Sequence, residues 1–357
     1  MKRSILLPAL LGATLLLAIP PCGFADETED GFNLAGTTLE AQLAAEKDGA
    51  SRIRLQNSLA DAYFDMGGTI LAQLNTDTMT VDQYEAANRR AVSYFQKSYE
   101  SDIKLRKSQA ATDLISMATA YGFLEEYPQV VASMESAIVL YRELKDSVSE
   151  ARTLDDIGIT YANQESFGKS VEYFTRSLAL WQALGRREEA GNSLIYIASG
   201  YEQQKQYAKS ISFNQRALAI SVERKSRGNE AEILAGIARC YRSLNQPAKQ
   251  REYFERCWPI YEELKQHGNA VRVLEALMAF YKVHQPEMAI ERGEKAIEIL
   301  KAGPKVAVED FARAEAEGLI RQRAALIWAL AALLTENNRA ADAKALHEWY
   351  EIYAPPQ

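Results

Sequence analysis

Few residues in this chain are of the kinds that do chemistry, and those few are badly spaced for it. Three histidines, His267, His284 and His347, and three cysteines, Cys22, Cys240 and Cys257, occur in 357 residues. No histidine has a second histidine or a cysteine at the spacing that chelates zinc. A nucleophile needs a base in reach and donors for the oxyanion. Cys257 and His267 stand ten residues apart across the end of a helix pattern, with no nucleophile motif around either. Gly67-Gly68 is the one glycine pair, and no phosphate-binding glycine run exists. The many carboxylates fall on polar helix faces, where solvation is their ordinary role. The expectation is no catalytic residue, no metal and no cofactor.

The elements that carry these residues repeat. A tyrosine recurs every 40 residues, at Tyr121, Tyr161, Tyr201, Tyr241 and Tyr281. Seven residues before each stands Leu114, Leu154, Leu194, Leu234 or Leu274. Four before it is Met117, Ile157, Ile197, Ile237 or Leu277, and three before it Ala118, Gly158, Ala198, Ala238 or Met278. Such spacing draws one apolar stripe along a helix. A second helix follows each tyrosine after a short turn, with Phe167, Ser170, Phe174, Ser177 and Leu178 on one face in the copy that starts at Ala151. Pro247 sits in the first turn of its helix, where the missing N–H costs little. A fixed period of this length predicts an all-α, right-handed α-solenoid of antiparallel helix pairs, each unit burying its face on the next.

The chain opens Met1-Lys2-Arg3, runs apolar from Ile5 to Ile19, and reaches Gly23-Phe24-Ala25 before Asp26. This pattern predicts a signal peptide over 1–25 and an exported chain, periplasmic or secreted. A retained anchor and a lipidated Cys22 are the alternatives; Pro21 is a poor residue before a lipidated cysteine. Ala324 to Leu334 is too short to span a bilayer and reads as a buried helix. Formal net charge is −7, and more negative once Lys2 and Arg3 are removed, which argues against nucleic acid and anionic membranes as partners. Cys240 and Cys257 fall too far apart on two antiparallel helices for a disulfide and are expected as free thiols.

The recurring leucine, then Leu/Ile with Gly/Ala, then tyrosine, then Tyr/Phe, Ser/Ala and Ala resembles the tetratricopeptide repeat (TPR). The likeness is to the long variety of about 40 residues in kinesin light chains and in bacterial arrays associated with caspase-like peptidases; no peptidase signature is present. It covers 111–302 as the regular array. Residues 26–110 read as a divergent N-terminal repeat, with Leu39 to Lys47 as a lone second helix and an insertion after Tyr63. That insertion holds Gly67-Gly68 and ends at Thr80-Val81-Asp82-Gln83, a capping-box start for a helix from Val81 to Lys107. Residues 303–357 read as capping helices, with Ile327, Leu330, Ala331 and Leu334 on one stripe and a last helix from Arg339 to Tyr353. About seven units are implied.

The resemblance implies that first helices line a groove, with groove residues two before and one, five and eight after each stripe leucine. Carried over, these are Thr112, Ile115, Thr119 and Gly122; Arg152, Asp155, Ile159 and Ala162; Asn192, Ile195, Ser199 and Glu202; Glu232, Ala235, Arg239 and Arg242; Arg272, Glu275, Ala279 and Lys282. The candidate peptide-binding set is Arg152, Asn192, Glu202, Arg239, Arg242, Arg272 and Lys282. The lysine/asparagine clamp of chaperone-binding members is not present at these positions. An acidic or C-terminal peptide at the basic end is one reading, and solvated charges balanced by Glu232 and Glu275 the other. The function expected is a non-enzymatic scaffold for a protein or peptide partner. The alternatives are a self-assembling envelope factor and a sensor of a small signalling peptide.

Overall fold

The structure, a computed structural model, describes residues 29–74, 79–306, 320 and 322–353. The expected signal peptide at 1–25, with Cys22, lies outside them. The described residues form helices and no strands. They divide into two units, up to Arg186 and from Arg187.

The first unit contains α1 (Glu29–Ala45), α2 (Gly49–Ala72), α3 (Val81–Asp102), α4 (Lys107–Phe123), α5 (Tyr127–Leu144), α6 (Ser147–Asn163) and α7 (Phe167–Ala183). Pairs α2/α3, α4/α5 and α6/α7 pack internally, and α3 on α4 and α5 on α6 join them. The second unit contains α8 (Arg187–Gln203), α9 (Tyr207–Glu223), α10 (Arg227–Ser243), α11 (Pro247–Glu263), α12 (His267–Tyr281), α13 (Pro286–Val306), α14 (Ala324–Glu336) and α15 (Ala340–Tyr353). Its pairs are α8/α9, α10/α11, α12/α13 and α14/α15, again stacked in chain order. The seven expected pairs are all present among the described residues, as an all-α solenoid within each unit.

The apolar stripe is the core. Leu154, Leu194, Leu234 and Leu274 are at most 1% exposed, and Ile157, Ile197, Ile237 and Leu277 are fully buried. Burying one such side chain stabilises by roughly 1.5–3 kcal/mol. Ile327, Leu330, Ala331 and Leu334 are buried as expected, although Trp328 between them is half exposed. Among the described residues no helix is long and apolar enough to cross a membrane.

Two expectations are corrected at the divergent end, and the glycine pair finds its place there. The helix from Val81 ends at Asp102, and a new one begins at Lys107. The lone second helix is the longer α1. Gly67-Gly68 continue α2, because Gly67 lies against the Phe95 ring, where an added Cβ would come within 2.7 Å. The capping box is present: Gln83 N–H donates to Thr80 Oγ1 at 3.2 Å, and Thr80 N–H to Gln83 Oε1 at 2.9 Å.

Helix termination has half the sequence period. Left-handed residues stand at Glu125, Lys145, Glu165, Gly185, Lys205, Lys225, Asn245 and Lys265. In each case the next residue's N–H reaches back to a carbonyl five residues earlier, as from Gln206 to Tyr201 at 2.9 Å and from Gln266 to Tyr261 at 2.8 Å. This is the Schellman arrangement. The accepting carbonyl belongs to Tyr121, Tyr141, Tyr161, Trp181, Tyr201, Ser221, Tyr241 and Tyr261 in turn. The turn after Tyr281 is one residue shorter, and there Gln285 N–H donates to the Tyr281 carbonyl at 2.8 Å.

Only Gly185 in that series suits its backbone without a Cβ penalty. Lys205→Gly should therefore raise stability by about 0.5–1 kcal/mol, and Gly185→Ala lower it by about 1 kcal/mol. Urea denaturation of the two variants should move the midpoint in opposite directions; shifts of the same sign would contradict this account of the turns.

Candidate functional site

The second unit presents the first helices α8, α10 and α12 in parallel register, one period apart. Relative to each stripe leucine, the positions two before are exposed: Asn192, Glu232 and Arg272. Those five after, Ser199, Arg239 and Ala279, are also exposed. Eight after, Arg242 and Lys282 are exposed and Glu202 is half buried. The position one after is closed: Ala235 is buried, and Ile195 and Glu275 are half buried. In the first unit Arg152 is exposed, and Thr112, Ile115, Thr119, Gly122, Ile159 and Ala162 are half buried. Asp155 turns from the open face toward α7, accepting from Trp181 Nε1 at 2.8 Å and from Ser177 Oγ.

Side chains tie the first helices together across one period. Arg239 donates to Glu202 at 3.1 Å from Nε and 3.4 Å from Nη2, joining α10 to α8. Asn269 Nδ2 reaches Glu232 Oε1 at 3.5 Å, joining α12 to α10, and also takes Arg272 Nη2 on its Oδ1 at 2.6 Å. Glu232 faces the Tyr261 hydroxyl, whose acidity is lowered by burial and by that carboxylate. Arg323 donates to Glu275 at 3.2 Å.

The basic end therefore separates into parts. Arg239 is neutralised by Glu202. Arg242 and Lys282 stand at equivalent C-terminal ends of α10 and α12, where a cation complements the helix dipole. Arg272 lies ten residues before Lys282, roughly 15 Å away along the axis. Among the described residues Arg242, Arg272 and Lys282 have no carboxylate partner, whereas the other described arginines of this unit each engage a carboxylate or an aromatic ring.

The ring-bound cations form a pattern that the sequence analysis missed. Lys209 sits 5.1 Å over Tyr201, which lies 5.5 Å from Phe213, which carries Arg216 at 5.2 Å. Lys249, Tyr241, Tyr253 and Arg256 repeat the stack one period later. Lys169, Tyr161, Tyr173 and Arg176 build it in the first unit. Each stack rivets a first helix to its own second helix, through contacts of about 0.5–1 kcal/mol at exposed sites. The signal was legible: lysine eight, an aromatic twelve and arginine fifteen residues after the tyrosine.

Both described cysteines are free and buried. Burial pushes the Cys257 thiol up to about 12 and raises that of Cys240, which lies 3.3 Å from Ser210 Oγ. Such thiols stay protonated near neutrality and are poor nucleophiles. His267 begins α12, His284 follows its end, and His347 lies tilted against Trp328 with ring centroids 4.3 Å apart, so the three histidines are dispersed.

Residues 149–223 and 189–263 match the family model described as tetratricopeptide repeat. No curated protein matches the sequence significantly. Among solved structures, a signal transduction ATPase with numerous domains and a tetratricopeptide repeat sensor, from Pyrococcus horikoshii, aligns with TM-score 0.55 at 15% identity. The alignment covers 90% of this chain and 47% of that one, so this chain spans under half its length. The nearly identical repeats of a putative kinesin light chain from Podosopora anserina align at 16% identity and TM-score 0.42, over 62% of this chain and 100% of that one. BtubC (BKLC) from P. vanneervenii aligns at 13% identity and TM-score 0.46, over 66% and 90%. At 15% identity the likeness to the ATPase extends to the fold alone.

Proposed function

We propose that this chain, a tetratricopeptide-repeat protein in its central helices, is a non-enzymatic scaffold that takes a protein or peptide segment along the exposed face of α8, α10 and α12. The observation that carries the reading is the trio Arg242, Arg272 and Lys282. On a surface where arginines are otherwise paired, these cations stand on the open first-helix face without a carboxylate. An acidic side chain or C-terminal carboxylate of the partner is the complement they lack, and such charge-assisted bonds are the stronger kind.

The test uses a photo-crosslinking residue at Ser199 or, as control, at Ser212 on the outer side of α9, in cell extract of the source organism. A partner captured from Ser199 alone is then titrated by calorimetry. Arg242→Glu with Lys282→Glu should weaken it by about tenfold or more, and added salt should weaken it further because the face is open to solvent. Arg239→Glu is a poor probe, since it sets a second carboxylate beside Glu202. Parental affinity in the double variant would overturn the proposal.

A second reading, self-association, is favoured by Trp328, which is 50% exposed on the last described helix pair. Light scattering of the parent and of Trp328→Ala tests it: a monomeric parent ends it. Export is part of the proposal and rests on the sequence of residues 1–25 alone; N-terminal sequencing should find Asp26 first.

A further inference from the structure

In the first unit, two carboxyl groups are buried in the seam between α3 and α4. Asp102, the last residue of α3, and Asp113, in the second turn of α4, are both 0% exposed. One oxygen of each is accounted for. Asp102 Oδ1 accepts from Arg106 Nε at 2.7 Å, and Asp113 Oδ1 accepts from Ser98 Oγ at 3.0 Å. The other oxygen of each, Asp102 Oδ2 and Asp113 Oδ2, is buried and has no hydrogen-bond donor. Ser98 and Asp102 stand one turn apart on the same face of α3, and Ser98 touches Asp113, so the register places the Asp102 carboxyl beside that of Asp113.

Two buried carboxylate oxygens left without donors would each carry a full desolvation penalty. Like charges this close also cannot both be held cheaply. One proton between them removes both costs. We propose that Asp102 and Asp113 share a single proton, and that this proton makes the α3–α4 joint a pH-sensitive contact, tight while it is bound and loosened when it is lost.

The surrounding charges fix which group carries it. Arg106 bridges Asp102 to Asp61 of α2, with Nη1 2.7 Å from Asp61 Oδ1; burial raises Asp102 as well, and the cation beside it works against that rise. Asp113 is the acid: burial pushes it up to about 7, and the Asp102 charge acts in the same direction against Ser98, Gln109 and Arg106. Asp61 is the other charged side chain facing the pair. Asp65 of α2 is pushed up to about 6, by burial and by Asp61, and adds a titration of the same sign nearby.

A carboxyl raised in the folded state holds a proton that the unfolded chain has already given up. Its stabilisation is complete below the ordinary value of 3.8 and is lost as pH rises through about 7. Across that window the opening constant of the joint should grow by up to about tenfold per pH unit and level off above it.

Hydrogen–deuterium exchange of α3 and α4 amides in the full chain, corrected for intrinsic rates between about pH 5 and 8, reads that constant. Asp113→Asn supplies an amide donor to Asp102 at every pH and should flatten the slope, while leaving α6 and α7 unchanged. Equal slopes in parent and variant would overturn the proposal. If Asp113→Asn does not fold, Asp102→Asn, whose amide donates to Asp113, should flatten the slope instead. The parent alone gives a further reading: at neutral pH it should show the infrared C=O band of a protonated, buried carboxylic acid. Absence of that band overturns the shared proton whatever the variants do.

Discussion

Leu234→Ala should lower stability by about 2–5 kcal/mol, and Leu194→Ala should do the same. The two leucines occupy one position in successive first helices, α8 and α10, and are at most 1% exposed. Each change removes buried methyl groups and leaves a cavity that stiff helices cannot close. The neighbouring Ile197, Ala198, Ile237 and Ala238 are buried on the same stripe and have no room to swing inward. Urea denaturation followed by circular dichroism measures the loss. Because the described helices form two units, the transition that belongs to α8–α15 is the one to fit. Parental midpoints in both variants would mean the assigned register is wrong.

Trp181→Ala should cost about 3–5 kcal/mol, as for the largest aromatic deletions. Trp181 is 1% exposed near the end of α7, and its Nε1 donates to Asp155 of α6 at 2.8 Å. The ring therefore both fills the pair and holds a carboxylate in place. Trp181→Phe separates the two roles, keeping most of the volume while withdrawing the donor; its cost should be about 1–3 kcal/mol. A Phe variant as unstable as the Ala variant would assign the whole effect to the lost hydrogen bond. A Phe variant at parental stability would show that the Asp155 contact contributes nothing.

The fold was legible because its cause is local. Leucine, isoleucine or methionine, a small residue and tyrosine at fixed spacing define a stripe whatever lies around it, and the buried stripe is what the structure shows. The half-period was harder to see. Tyr141, Trp181 and Tyr261 hold the position in second helices that Tyr121, Tyr161 and Tyr201 hold in first helices, but Ser221 breaks the series. At the divergent end two adjacent glycines sit inside a helix, where each costs about 1 kcal/mol, because Gly67 is where α2 approaches the Phe95 ring too closely for any Cβ.

The candidate face was legible in outline only. In the second unit the positions two before and five after the leucine are exposed, and eight after it Arg242 and Lys282 are exposed while Glu202 is half buried; in the first unit most of these positions are half buried. The position one after is closed by the neighbouring helix, as Ala235 and Asp155 show. Pairing of Arg239 with Glu202, 37 residues away, depends on the stagger of α8 and α10 and on two rotamers, neither of which a single sequence specifies. The burial of Asp102 and Asp113 in one seam was invisible for the same reason: both aspartates read as polar-face residues until α3 and α4 are laid together.

Excising one whole period from the second unit, Tyr207 to Gln246, tests the central claim most directly. The cut joins the turn after α8 to Pro247, the first residue of α11, and keeps every remaining helix in register. In a solenoid each repeat touches its neighbours alone, so the shortened chain should fold, with helicity per residue unchanged and a cooperative urea transition. Excising Tyr207 to Gly236 instead destroys the register and should abolish the cooperative transition that belongs to the second unit. A whole-period deletion that loses its cooperative transition as the off-register one does would contradict the account.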